Sequence, residues 1–415
     1  MASSTAAKSS APARSGSSEK KGGADDRLAS LDAYRGFVMI CLAGAGFGIA
    51  AAAQNFPLSA SPAYQRVAVH FEHVRWVGCA FWDLIQPSFM FMVGVSMAYS
   101  YAKRKSGGTW GHLALHAAIR SIVLVLLGIF LRSTGTPTTN FTFMDVLSQI
   151  GLGYFFLFLL WDRPPWVQTV TAVSILVAYW AWFAVTPLPG PDFNYAVAGV
   201  EADRPLLTGF AAHWEKGSNP AAAFDRWFLN LFPRIGGQPF VYDRGGYVTL
   251  NFIPSIVTML LGLMAGELIR TTPNRLQALG ILVLGGLFFL GSGWALGQLG
   301  ICPIVKRIWT PSWVLFSAGW TLLLLSAFYT LMDVLGWKWL GYPLIVAGAN
   351  SILLYILSLS SIRNWTAYTL QKHFGSGIFN LFGEPYVPIV ASCGVLLVFW
   401  LFVFWLYRQK IFLKI

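Results

Sequence analysis

Near-continuous apolar runs, each about as long as a bilayer is thick, recur along this chain and limit its fold more than any other feature. The stretch from Pro388 to Tyr407 carries no charge. A helix rising 1.5 Å per residue crosses about 30 Å of hydrocarbon in roughly 20 residues, so such a run reads as a membrane-spanning helix. A transmembrane barrel is excluded, because its strands alternate apolar and polar positions over about 10 residues and these runs do not. Only 11% of the residues are charged, against about 25% in soluble domains. The expected fold class is all-α, a polytopic transmembrane helix bundle.

Ten spans are expected, over 27–53, 84–102, 117–132, 146–161, 166–186, 248–269, 276–297, 312–334, 341–361 and 388–407. Lys103-Arg104-Lys105 closes the second span. Cytoplasmic loops collect Lys and Arg, so this loop is assigned inside. Arg163, Arg270 with Arg275, Lys338, and Arg408, Lys410 and Lys414 then fall on the same side. Both termini are expected in the cytoplasm. Much of the net charge of +12 lies in these segments and at the N-terminus, where it orients the chain and calls for no nucleic acid. Residues 1–26, rich in Ser, Ala and Gly and lacking an apolar run, are expected to form a disordered tail rather than a cleaved leader. Residues 27–415 form the transmembrane part, with one long external loop over 187–247. Loops of that length are usually functional. Four scattered cysteines suit free thiols better than a disulfide framework or a zinc site.

The densest polar stretch is Glu72–Pro87, where His, Arg, Glu and two Trp run into a helix opened by Asp83, Gln86 and Pro87. Neutral imidazole takes a proton near pH 7 or attacks an activated acyl group, which makes His73 the candidate reactive residue. A His that merely hydrogen-bonds at the interface is the plain alternative. Asp83 is either its orienting partner or a simple N-cap. At matching depth stand Asp145 and Gln149, Tyr247 and Asn251, and Lys306, Trp309 and Ser312, with Asn350 near mid-membrane. Convergence on an external polar pocket competes with helix packing through small and polar residues. On the cytoplasmic side Asp32 and Arg35 are spaced to pair on one helix face; basic groups there would also suit the phosphates of a coenzyme A donor. Walker, Rossmann, HExxH and CxxC patterns are absent from the sequence, so no metal is expected.

The order of these motifs resembles the heparan-α-glucosaminide N-acetyltransferase family and its bacterial relatives. The matching pieces are Arg27–Gly36, His73–Gly78 followed by Asp83 and Pro87, Phe89–Ser96, Val146–Tyr154, Gly246–Gly266, Trp309–Ser312 and Gly348–Tyr355. The resemblance implies a membrane-embedded acyltransferase that takes acetyl from cytosolic acetyl-CoA and delivers it to an amino sugar or envelope glycan outside. It implies His73 as the reactive residue; from their positions, Asp83 is expected to be catalytic with it, and Asn251, Asn350, Gln149, Trp309 and Lys306 to be substrate-binding. Arg35 and Asp32 would then stand at the donor side. A bacterial cytoplasmic membrane is the expected location, with lipid and a small-molecule or glycan acceptor as partners, and a homodimer among the expected assemblies. Relatives often carry Asn where this chain has Gly46, and Leu-Gln-Arg where it has Leu147-Ser148-Gln149. A transporter or flippase for an envelope intermediate is the rival reading; its signature would be an internal repeat with paired broken helices.

Overall fold

The computed structural model describes residues 28–105 and 107–413. The expected tail 1–26, with Arg27 and Lys414, lies outside the described residues. Among those described there is helix and no strand. The main helices are α1 (Ala29–Ala43), α2 (Ile85–Lys105), α3 (Trp110–Ser133), α4 (Val146–Leu160), α5 (Pro165–Val185), α6 (Phe252–Thr271) and α7 (Arg275–Gln298). They continue with α8 (Pro311–Tyr329), α9 (Tyr342–Ala349), α10 (Ser351–Leu359), α11 (Ile362–Phe374) and α12 (Val387–Arg408).

Each of the ten expected segments coincides with a helix or a bent helix pair. Among the described residues six helices (α3, α5, α6, α7, α8 and α12) are long and apolar enough to cross a bilayer, or eight spans if each bent pair counts as one. The protein is an integral, multi-pass membrane protein. Helix α4 is shorter, at 15 residues. Helix α2 buries Gln86 and Ser88 among its apolar residues. A helix shielded by its neighbours can carry such groups, because protein rather than lipid meets them.

Two expected helices are not continuous. The first bends by 49° after Ala43, and the segment resumes as the short helix Ile49–Ala52. Ala45 and Phe47 there take φ of 45° and 57°, left-handed values that no α-helix accommodates. The segment 341–361 bends by 76° at Asn350. Asn350 therefore does not sit within a continuous helix: it terminates α9, and its amide serves the 411–413 segment. Its Nδ2 donates to Ile411 O at 3.1 Å, and its Oδ1 accepts from Leu413 N at 3.0 Å.

The core forms where α2 crosses α6. A Cβ at Gly94 would overlap Met259 O, and one at Gly262 would overlap Phe91 O. Lipid tails are as apolar as leucine, so helices in a bilayer gain most by close backbone approach, which glycine permits. This crossing positions the starts of α2 and α6, and with them the polar residues at one end of the bundle.

Candidate functional site

Asp83 nucleates the site. The chain enters α2 through a single 3-10 turn, Phe81–Leu84, with Pro87 in the first turn of the helix; its missing N–H is one the helix start leaves unpaired anyway. One carboxylate oxygen, Oδ2, accepts from Ala80 N at 3.1 Å and from Val74 N at 3.2 Å, folding the preceding loop back onto the helix start. The other, Oδ1, lies 2.7 Å from His73 Nδ1. Lys306, from the connector between α7 and α8, places Nζ 3.3 Å from the same oxygen and 3.2 Å from His73 Nδ1.

The protonation states follow. Burial would raise the Asp83 carboxyl, but the hydrogen bond from His73, the Lys306 charge and the bond from Ala80 N outweigh it and hold it at about 2. Asp83 is thus an anion that only accepts, so Nδ1 carries the ring proton and donates to it. Nε2 is then the unprotonated nitrogen. Burial, aided by the charges of Lys306 and Arg307, lowers the imidazole below its ordinary range, against the opposing pull of Asp83. His73 is a neutral base at pH 7. Burial pushes the neighbouring Cys79 thiol up to about 12, which rules out a thiolate there at neutral pH.

His73 lines a cavity of about 520 Å³. Leu42 of α1, Trp82, Gln86 and Phe89 of the α2 region, Arg132 of α3 and Tyr355 of α10 share its wall. Asp145 lines it while capping α4, accepting from Leu147 N and Ser148 N at 3.0 and 3.1 Å. From the long loop come Asp243, Gly245 and Tyr247. Arg307 braces the mouth: it donates to Val74 O at 3.1 Å and to Gly245 O at 2.6 Å, and lies over the Tyr247 ring. The loop bearing His73 and the loop bearing Tyr247 are thereby held by one guanidinium.

Of the residues singled out in the sequence, the structure brings His73, Asp83 and Lys306 into direct contact. Gln86, Asp145 and Tyr247 line the same cavity, whereas Gln149, Asn251, Trp309 and Asn350 are engaged in holding the fold. Gln149 is fully buried, donating to Phe143 O at 2.7 Å and Thr249 O at 2.9 Å, which ties α4 to the start of α6. Asn251 donates to Arg307 O at 2.7 Å. Trp309 is buried and donates to Thr258 Oγ1 at 3.2 Å. Neither Asn251, Gln149, Trp309 nor Asn350 is among the cavity's lining residues. Asp32 and Arg35 lie 3.6 Å apart, and Arg35 also bonds Ser96 of α2. Because Leu42 reaches the cavity and Asp32 and Arg35 lie ten and seven residues earlier on the same helix, this pair sits about 10–15 Å further along the helix.

The loop trio His213, Trp214 and Glu215 supports the loop from within. Glu215 is buried, pairs with Arg204 and accepts from Leu207 N at 2.7 Å. Trp214 O accepts from Trp76 Nε1 at 3.1 Å. Gly46 packs against Phe71 and Trp82. Asn55, nine residues after Gly46, donates to Pro385 O at 3.3 Å. Sequence reasoning missed Arg132, Asp243 and Arg307. The only hint was charge next to an apolar run, and solvated helix ends share that property.

No family model matches the chain. Among curated proteins it is 25% identical over 375 residues to the heparan-alpha-glucosaminide N-acetyltransferase of Homo sapiens, covering 80% of this chain and 52% of that protein. It is 24% identical over 440 aligned positions to the enzyme of the same name from Mus musculus, covering 94% of this chain and 61% of that protein. The chain thus spans between half and two-thirds of the length of the relatives it matches.

Proposed function

We propose that this relative of the heparan-α-glucosaminide N-acetyltransferase family is a membrane acyltransferase that passes an acetyl group from acetyl-CoA to an amine or hydroxyl of a sugar. The observation that carries the reading is the His73 Nδ1–Asp83 Oδ1 bond of 2.7 Å at the wall of the cavity. It leaves Nε2 with its lone pair for chemistry, and Asp83 both fixes the ring and stabilises the imidazolium that forms.

Two routes use this arrangement. As general base, Nε2 takes the acceptor's proton while its nitrogen or oxygen attacks the thioester carbonyl; the C–S bond breaks and the departing thiolate regains that proton. As transient acceptor, Nε2 attacks the carbonyl itself and the C–S bond breaks, releasing coenzyme A as thiolate; the acceptor then attacks the acyl carbon, the C–Nε2 bond breaks, and the acceptor's proton goes to the thiolate. We read ten crossings with both termini cytoplasmic, a bacterial cytoplasmic membrane, and the His73 cavity on the external side. The thioester would approach from the Asp32–Arg35 end. On this reading residues 27–415 act as one transmembrane unit with 187–247 as the external loop over the site.

The test is purified protein given radiolabelled acetyl-CoA and glucosamine. Wild type is expected to release coenzyme A and label the sugar; His73→Gln is expected to bind acetyl-CoA and do neither. Full transfer by a folded His73→Gln would falsify the mechanism. The two broken helices, bent by 49° and 76°, favour a second reading as a transporter of an envelope intermediate. Sugar uptake into proteoliposomes without any acyl donor would select it.

A further inference from the structure

Lys306, expected among the residues that hold the substrate, lines the cavity, and its contacts give it a second role. It is only 3% exposed, and Nζ is committed to Asp83 Oδ1 at 3.3 Å beside His73 Nδ1 at 3.2 Å. An ammonium has three donors and no acceptor, and Nδ1 carries the ring proton, so Lys306 and His73 do not bond each other. They share one carboxylate oxygen. We propose that Lys306 is a positioning residue that keeps His73 neutral, by placing a fixed positive charge beside the imidazole and competing with it for Asp83. The inference rests on the acyltransferase reading for its purpose but not for its physics.

Two contributions act in the same direction. A like charge within about 4–6 Å disfavours the protonated ring. A carboxylate already paired with an ammonium also offers less to an imidazolium than one facing His73 alone. Other charged or titratable groups around the ring are Arg307 from the same connector, Cys79 and Glu72 on the ring's own loop, and Asp243 and Tyr247 from the loop before α6. Across the cavity stand Arg132 and Asp145. Asp83 and Lys306 are the nearest charges, and both are almost fully enclosed. Their effect is therefore screened least.

The arrangement solves a problem that a His–Asp pair alone creates. A carboxylate at 2.7 Å orients the ring but also favours its protonation, and a protonated Nε2 neither attacks nor accepts a proton. With Lys306 on the same oxygen, orientation is kept while the ring stays basic only as far as the chemistry needs.

The experiment reads His73 directly and uses no acyl donor. Full-length protein in detergent is exposed to diethyl pyrocarbonate across pH 5 to 9, and modification of the His73 peptide is followed by mass spectrometry, since only the neutral imidazole reacts. In Lys306→Met the midpoint for His73 is expected to rise by about one pH unit, a tenfold gain in protonated over neutral ring at a given pH. Lys306→Gln, a second neutral replacement, is expected to move it the same way should the Met variant fail to stay monodisperse. Lys306→Arg is expected to keep the wild-type midpoint. His213, which lies outside the cavity, serves as an internal reference that must not move. An unchanged or lowered His73 midpoint in the folded neutral variants overturns the assignment. A raised midpoint in a protein that transfers no acetyl group keeps the positioning role and sinks the acyltransferase reading instead.

Discussion

Replacing Asp83 by Asn tests how the site is held together. In wild type both oxygens are used: Oδ2 by two backbone N–H groups, Oδ1 by His73 and Lys306. The amide carries one acceptor oxygen in place of two. Either its NH₂ meets the amides of Val74 and Ala80, or it meets His73 and Lys306, and a donor faces a donor in both cases. The buried Lys306 ammonium is meanwhile left without the carboxylate beside it, and breaking a buried pair from one side costs about 3–5 kcal/mol. Linkage gives a comparable figure. With the carboxyl held at about 2 against an ordinary 3.8, ionisation of Asp83 contributes about 2 kcal/mol at neutral pH. A loss of about 2–5 kcal/mol is therefore expected, measured by tryptophan fluorescence during unfolding in mixed detergent–SDS micelles. The sign with pH is set by the depression. This contribution is whole above pH 4 and disappears as the pH falls through 2, so the gap between wild type and Asp83→Asn should close in acid. The double variant Asp83→Asn with Lys306→Met removes the stranded charge and should recover at least about 1 kcal/mol relative to simple addition. A single-variant loss under about 0.5 kcal/mol, or strict additivity, would refute the reasoning.

Gly262→Ala should separate α2 from α6, because the added carbon overlaps Phe91 O; a loss of about 1–3 kcal/mol is expected, while Gly280→Ala, with open space around it, should be neutral in the same melt. Asn350→Ala removes two bonds to the 411–413 segment, costing about 1–2 kcal/mol. The Leu413 amide should exchange with deuterium faster in that variant, with the His73 titration unmoved. Arg204→Met strands buried Glu215 at a cost of about 3 kcal/mol, and limited proteolysis should then cut within 187–247 sooner than in wild type.

Much of this molecule was legible as sequence, for a physical reason that acts locally. Whether a segment of 20 residues prefers hydrocarbon depends on its own side chains and its own backbone hydrogen bonds, so Pro388–Tyr407 announces a helix without reference to anything else. His73 and Asp83 were readable too, since ten residues of one loop and one helix start separate them. Tertiary packing decided the rest. Lys306 lies 233 residues from His73 in the chain, and nothing in Val305–Arg307 says which carboxylate it will meet. Asn350 reads as a polar group in an apolar helix, which fits either a pocket contact or helix packing; in the structure the 411–413 segment occupies its amide. Gln149 and Asn251 likewise had the right chemistry at the right depth, but α4, α6 and the 299–310 connector pack closely enough to consume their donors. Local composition determined that the chain would be helical and lie in a membrane. Which polar groups face the cavity, and which hold helices together, depended on contacts between residues as far as 233 positions apart, because a buried donor takes whichever acceptor the packed helices bring to it.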